Sequence, residues 1–212
     1  MFDLAAVTAL SFFAALSGAV VPGPVFVVVV SESIKKGAKA GPLIVAGHLV
    51  IEALIIAAIL LGLDLLLGSA QATTAISYVG GAVFLAMGAI LINAARNVKS
   101  DVTQENKTML ASHGLIAAGF LASASNPQFY FWWLATGIPT IAFALSSAGT
   151  AGFVAFLFGH AAADLLWFGF ISWSVEKGRR YLNPKAIKVI LLGSASFLLV
   201  FGIYLLLSAG SL

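Results

Sequence analysis

Apolar residues run along this chain in six long stretches, at roughly 4 to 31, 43 to 67, 73 to 95, 114 to 136, 150 to 174 and 189 to 209, with the charged residues gathered mostly between them. Each stretch has about twenty or more residues, the number an α-helix needs to cross a hydrocarbon core about 30 Å thick. The pattern therefore predicts an all-α integral membrane protein with six transmembrane helices. The uncharged segment from Gly114 to Ser147 is too long for one upright span. It must tilt, break or carry a half-inserted piece around Gly137 and Pro139, and the sequence leaves 137–149 open between a loop and a re-entrant segment.

Composition sharpens the class. Hydrophobic residues make up 61% of the chain and charged residues 9%, so the lipid bilayer is the first partner to expect. The net charge of +3 does not point to nucleic acid, because all eleven Lys and Arg residues fall in alternate loops. Lys35, Lys36 and Lys39 follow the first stretch; Arg96, Lys99 and Lys107 follow the third; Lys177, Arg179, Arg180, Lys185 and Lys188 lie between or border the last two. The positive-inside rule makes these loops cytoplasmic and puts both termini on the outer side. Only Asp3 is charged at the start, so the chain lacks the basic region of a cleavable signal and the first span should be retained. The absence of cysteine excludes disulfides, thiolate metal sites and thiol-based electron carriers.

The polar residues inside the apolar stretches carry a repeat. Gly47-His48, followed by Glu52, recurs about 112 residues later as Gly159-His160, followed by Asp164. A proline break precedes each pair: Val21-Pro22-Gly23-Pro24 in the first stretch and Ser125-Asn126-Pro127-Gln128 in the fourth. A glycine-spaced stretch follows each, marked by Gly81 and Gly88 in one half and Gly193 and Gly202 in the other. Three spans per half is an odd number, so the second half should be inverted relative to the first, the plan of many secondary transporters. The expected organisation is a first three-helix repeat over 1–98, a polar cytoplasmic linker over 99–113, and a second, inverted repeat over 114–212, with helices 1 and 4 broken at proline.

Chemistry is expected where these features meet. A carboxylate at mid-bilayer costs about 2.5 to 3.5 kcal/mol on insertion scales, so one in each half signals a polar site rather than an accident of composition. His48 and Glu52 are four apart, as are His160 and Asp164, so each pair shares one helix face and both faces should point inward. The bland alternative is two self-satisfied structural pairs, or acids that turn toward water. Pro22, Pro24 and Pro127 cannot donate backbone hydrogen bonds, which should free the carbonyls of Gly18, Val20 and Ser123; Asn126 and Gln128 add side-chain donors and acceptors, and Gly23 leaves room for approach. Against this stands a plain packing kink, but two breaks at matching positions favour a cavity. Glu32 and Asp64 read as interfacial. Trp132 and Trp133 read first as membrane-belt anchors, with an aromatic wall for a substrate ammonium as the alternative. No metalloprotease helix, phosphate-binding glycine loop or nucleophile elbow is present, so no enzyme activity and no cofactor is expected.

Pro22-Gly23-Pro24 late in the first span, the basic Lys35 to Gly41 loop, Gly47-His48 opening the second and Ser125-Asn126-Pro127 in the fourth together resemble the lysine-exporter (LysE) family of amino-acid translocators, over most of the chain. The resemblance implies an exporter of amino acids or related metabolites in a bacterial or archaeal inner membrane, driven by a proton or other ion gradient and often oligomeric. The family commonly has Lys after Asn-Pro, where this chain has Gln128. The combined expectation is a secondary exporter in which Glu52 and Asp164 hold the substrate ammonium or the coupling proton and His48 and His160 tune them. Pro22, Gly23, Pro24, Asn126, Pro127 and Gln128 should complete the binding site. The rival within transport is a divalent metal-cation exporter using the same histidines and carboxylates; the rival outside it is a non-transporting membrane scaffold.

Overall fold

The computed structural model describes residues 4–21, 23–62, 70–96, 112–179 and 183–209. Among them the chain is helical throughout: α1 (Leu4–Ala19), α2 (Pro24–Lys36), a 3-10 turn (Gly37–Lys39), α3 (Ala40–Leu60), α4 (Ala70–Arg96), α5 (Ser112–Ala124), α6 (Pro127–Trp132), a π-helical turn (Trp133–Gly137), α7 (Ile138–Arg179) and α8 (Pro184–Ser208). Proline opens α2, α6 and α8, where its missing N–H would be unpaired anyway and its fixed φ suits a first helical turn. Before two of these prolines an asparagine caps the helix. Asn126 Oδ1 accepts Gln128 N–H at 3.2 Å and Asn183 Oδ1 accepts Ala186 N–H at 2.8 Å.

The segment whose form the sequence left open is helix. From Pro127 the chain continues through the π turn into α7, so 137–147 is helix rather than loop. The turn comes at Ala148 and Gly149, where Gly149 takes φ +57° and ψ −139°, a conformation costly for any residue with a side chain. Beyond it, Gly152 lies against the backbone carbonyl of Ala144. Eight residues of unbroken helix would separate these by about 12 Å. The chain therefore folds back at 148–149, and 150–179 is a separate arm.

Three pairings organise the molecule: α1 with α7, α3 with α5, and α4 with α8. Each is tight because glycine lets one backbone rest on another. Gly47 of α3 lies on the Ile116 carbonyl of α5, while Gly119 of α5 lies on the Ile44 carbonyl of α3. Gly159 of α7 meets the Thr8 carbonyl of α1, and Ser11 there donates to the Phe156 carbonyl at 2.7 Å.

Burial runs opposite to that of a water-soluble protein. Phe13, Phe158 and Leu207 are 66%, 75% and 81% exposed, while Ser11, Ser33, Ser123, Ser172, Glu52, His160 and Asp164 are buried. Apolar outside and polar inside is the arrangement a bilayer selects. Three helical stretches, Pro24–Leu60, Pro127–Gly178 and Pro184–Ser208, are long and apolar enough to cross a membrane, and Leu4–Ala19, Ser77–Asn93 and Gly114–Ala124 are shorter apolar helices. Pro24–Leu60 contains the turn at Gly37, whose φ of +74° ends α2 before α3 begins and packs alongside it.

Glu32 departs from its expected interfacial place. It is buried and paired with Lys35 Nζ at 2.9 Å and Lys36 Nζ at 3.7 Å. The short helical spacing lets both lysines fold back over a carboxylate that would otherwise be uncompensated. Asp64, Lys99, Lys107, Arg180 and almost all of the expected linker lie outside the described residues.

Candidate functional site

The two His-acid pairs sit on α3 and α7, and the α3–α7 contact turns their faces toward each other. His160 Nε2 lies 2.8 Å from Glu52 Oε1, and His48 Nε2 lies 3.2 Å from the same oxygen. Asp164 Oδ2 stands 3.6 Å from His160 Nε2 and 3.9 Å from His48 Nε2. The shortest of these contacts joins the two halves of the chain rather than one pair to itself, so the pairs are not separate structural contacts. Glu52, His160 and Asp164 are buried and His48 is nearly so. Neither Glu52 Oε2 nor Asp164 Oδ2 has a hydrogen-bond partner. Unpaired carboxylate oxygen is expensive away from water, so this arrangement calls for a cation or a proton donor from outside the protein.

A serine fixes one histidine. Ser123 Oγ donates its single proton to the Gly119 carbonyl at 2.9 Å and lies 2.6 Å from His48 Nδ1. The hydroxyl therefore bridges His48 Nδ1 and the Gly119 carbonyl. The Nε2 edge of His48 then faces two carboxylates. Sequence reasoning named Ser123 for its backbone carbonyl and missed its hydroxyl, since only the α3–α5 pairing brings it to His48.

Aromatic rings close the other side. The His160 ring lies 5.2 Å from Trp133, 5.5 Å from Trp132 and 5.6 Å from Phe156, and the His48 ring lies 5.5 Å from Phe129. The reading of both tryptophans as belt anchors is therefore wrong: Trp133 is 1% exposed, and Trp132 lies over Gly18. The π turn at 133–137 follows directly, and such turns are frequent at functional sites.

A cavity of about 230 Å³ joins these elements. His48, Glu52, His160, Asp164 and Ser123 line it, as do Gly23, Pro24, Asn126 and Gln128 from the two helix interruptions, with Trp132, Phe129 and Phe168 as aromatic wall. Pro127 is buried at the start of α6 and is not among the lining residues. Pro22 lies outside the described residues. Two of the carbonyls expected to be free have partners: Gly18 accepts Val21 N–H at 3.3 Å and Ser123 accepts Asn126 N–H at 3.0 Å. The chain tightens to three-residue spacing just before each interruption, which satisfies the carbonyl that proline abandons four residues on.

Among the described residues no lysine or arginine lines the cavity, and its polar end carries the two carboxylates and two imidazoles. Comparison with curated proteins and with solved structures gives no significant match. A family model does match, over residues 16–209, which include all four cluster residues and both helix interruptions. The chain belongs to the LysE type translocator family and is a membrane transporter.

Proposed function

We propose that this protein exports amino acids or related small metabolites across the cytoplasmic membrane, coupled to the proton gradient. The observation that carries the reading is the convergence of Glu52 and Asp164, from opposite halves of the chain, on one buried cluster that opens into a small cavity. A substrate ammonium fits the unpaired oxygens of the two acids. A proton fits the same place, which gives the competition between cargo and proton that coupling requires. Asn126 and Gln128 serve the substrate's polar end, and the aromatic wall serves its apolar body.

The transport cycle rests on six spans arranged as two inverted three-helix repeats, 1–98 and 114–212, with helices 1 and 4 broken near proline and 99–113 as cytoplasmic linker. The pairing of helices supports this plan. Exchanging the halves turns the α1–α7 contact into the α5–α3 contact and returns α4–α8 to itself. Glycine marks both members of the exchanged pair, Gly47 on α5 and Gly159 on α1. Alternating access then follows from rocking of one half on the other about the midplane cluster. The basic loops face the cytoplasm and both termini face outward. The family match gives no support to a divalent metal as cargo.

Proteoliposomes loaded with radiolabelled amino acids test the reading. Label should leave when a pH gradient is imposed, and Glu52→Gln, which keeps the shape and loses the charge, should abolish the efflux. Absence of efflux for every amino acid tried would refute it.

A further inference from the structure

We propose that His48, Glu52 and Asp164 form a binding site for a divalent transition-metal ion of the Zn²⁺ class, with a fourth position left open. The inference concerns the same cluster but does not require the cargo assigned above. Zinc holds imidazole nitrogen at about 2.0–2.1 Å and carboxylate oxygen at about 2.0–2.2 Å, so ligand atoms around a tetrahedral ion stand about 3.3–3.5 Å apart. His48 Nε2 lies 3.2 Å from Glu52 Oε1 and 3.9 Å from Asp164 Oδ2, on both sides of that value. His48, Glu52 and Asp164 can each offer a ligand atom within 4.8 Å of the other two. A water molecule takes the fourth position of a tetrahedral ion.

Two independent observations point to a cation at its centre. The first is the orientation of His48. The Ser123 hydroxyl lies 2.6 Å from His48 Nδ1, which leaves the Nε2 edge of the ring turned to Glu52 Oε1 at 3.2 Å. A metal-bound histidine ordinarily donates its other ring N–H to a fixed acceptor. The second is charge. Glu52 and Asp164 are buried carboxylates, each with an oxygen that has no hydrogen-bond partner, and among the described residues no lysine or arginine lines the cavity, so a divalent ion would supply the missing contacts. The ligand set is one nitrogen and two carboxylate oxygens without thiolate, which suits zinc and its first-row neighbours.

Binding displaces whatever proton or ammonium the acids hold, so Zn²⁺ should also inhibit export. The test uses full-length protein purified in detergent and freed of metal by chelator, with Co²⁺ as a spectroscopic probe. The expected result is one Co²⁺ per chain with the intense visible bands of four-coordinate cobalt, bleached stoichiometrically by Zn²⁺. Asp164→Asn and His48→Gln should weaken binding by at least about 100-fold, and Ser123→Ala by about 10- to 100-fold with recovery in Ser123→Thr. The proposal is overturned if wild-type protein gives no band or only the pale spectrum of six-coordinate cobalt. It is overturned equally if a monodisperse Asp164→Asn protein keeps the wild-type spectrum. Should the ligand variants not fold, the wild-type spectrum and the Ser123 pair decide. A chain that exports amino acids without binding cobalt refutes this inference alone, and one that binds cobalt without exporting refutes only the transport reading.

Discussion

Gly18 has no side chain, and the indole of Trp132 occupies the place beside it where one would stand. A Cβ on Gly18 would lie 3.0 Å from Trp132 Nε1 and 3.2 Å from Cδ1, closer than carbon tolerates without movement. Both residues line the cavity, so Gly18→Val should drive the indole toward the His-acid cluster. We expect KM for export to rise about tenfold, roughly 1.4 kcal/mol of lost substrate binding, with a smaller change in kcat. Gly193 is the comparison, since a Cβ there meets nothing within 4 Å, and Gly193→Ala should leave the kinetics alone. Efflux kinetics in proteoliposomes separate the two, and equal effects would discard the indole's role. At this scale the sequence was informative about spacing and silent about surroundings. The i,i+4 interval placed His48 with Glu52 and His160 with Asp164, because helical period depends on nothing else. That Trp133 turns inward, and that Ser123 holds His48, depends on which helices become neighbours, and no local pattern records that.

Among the elements, the sharp turn between the two arms of α7 rests on a single residue. Gly149, at φ +57°, should resist replacement: Gly149→Ala should cost about 1 to 3 kcal/mol of stability, read as a lowered Tm in detergent. A Cβ there has open space, so a fall in Tm would report backbone strain rather than collision. The glycine contacts between helices predict the opposite cause. A Cβ on Gly47 would run into the Ile116 carbonyl, and one on Gly159 into the Thr8 carbonyl, so either alanine variant should lose about 1 to 3 kcal/mol by pushing backbones apart. If both melt like the native chain, the helices do not approach as closely as described. The helix starts at Pro24 and Pro127 were visible in the sequence, because proline has few other places in a helix. The reversal at 148–149 falls at the end of the 137–149 interval that the sequence left open between two spans, but the sequence did not mark Ala148-Gly149 as its place, since that pair is equally compatible with continuing helix. Nor did it mark the repair of the Gly18 and Ser123 carbonyls, which comes from local tightening of the chain rather than from any residue type.

For the whole molecule, the proposed rocking of one half against the other requires that contacts near the α2–α3 turn open and close. Ser172 of α7 donates to the Ala38 carbonyl at 2.9 Å, and the turn at Gly37 rests on the side chain of Glu176. These contacts tie the first half's basic turn to the second half's long helix. The native chain has no cysteine, so a pair of introduced thiols acts against a silent background. The Ser172 hydroxyl reaches the Ala38 carbonyl, so Ala38→Cys/Ser172→Cys is the pair to try for a disulfide, which needs a Cα separation of about 4.4–6.8 Å. Oxidation should lock the turn to α7 and stop efflux, and reductant should restore it. Each single variant should be indifferent to oxidant. Efflux that persists at its full rate in the cross-linked protein, with the bridge verified by mass spectrometry, would mean that the halves do not separate here, and the rocking axis would have to be sought elsewhere in the bundle.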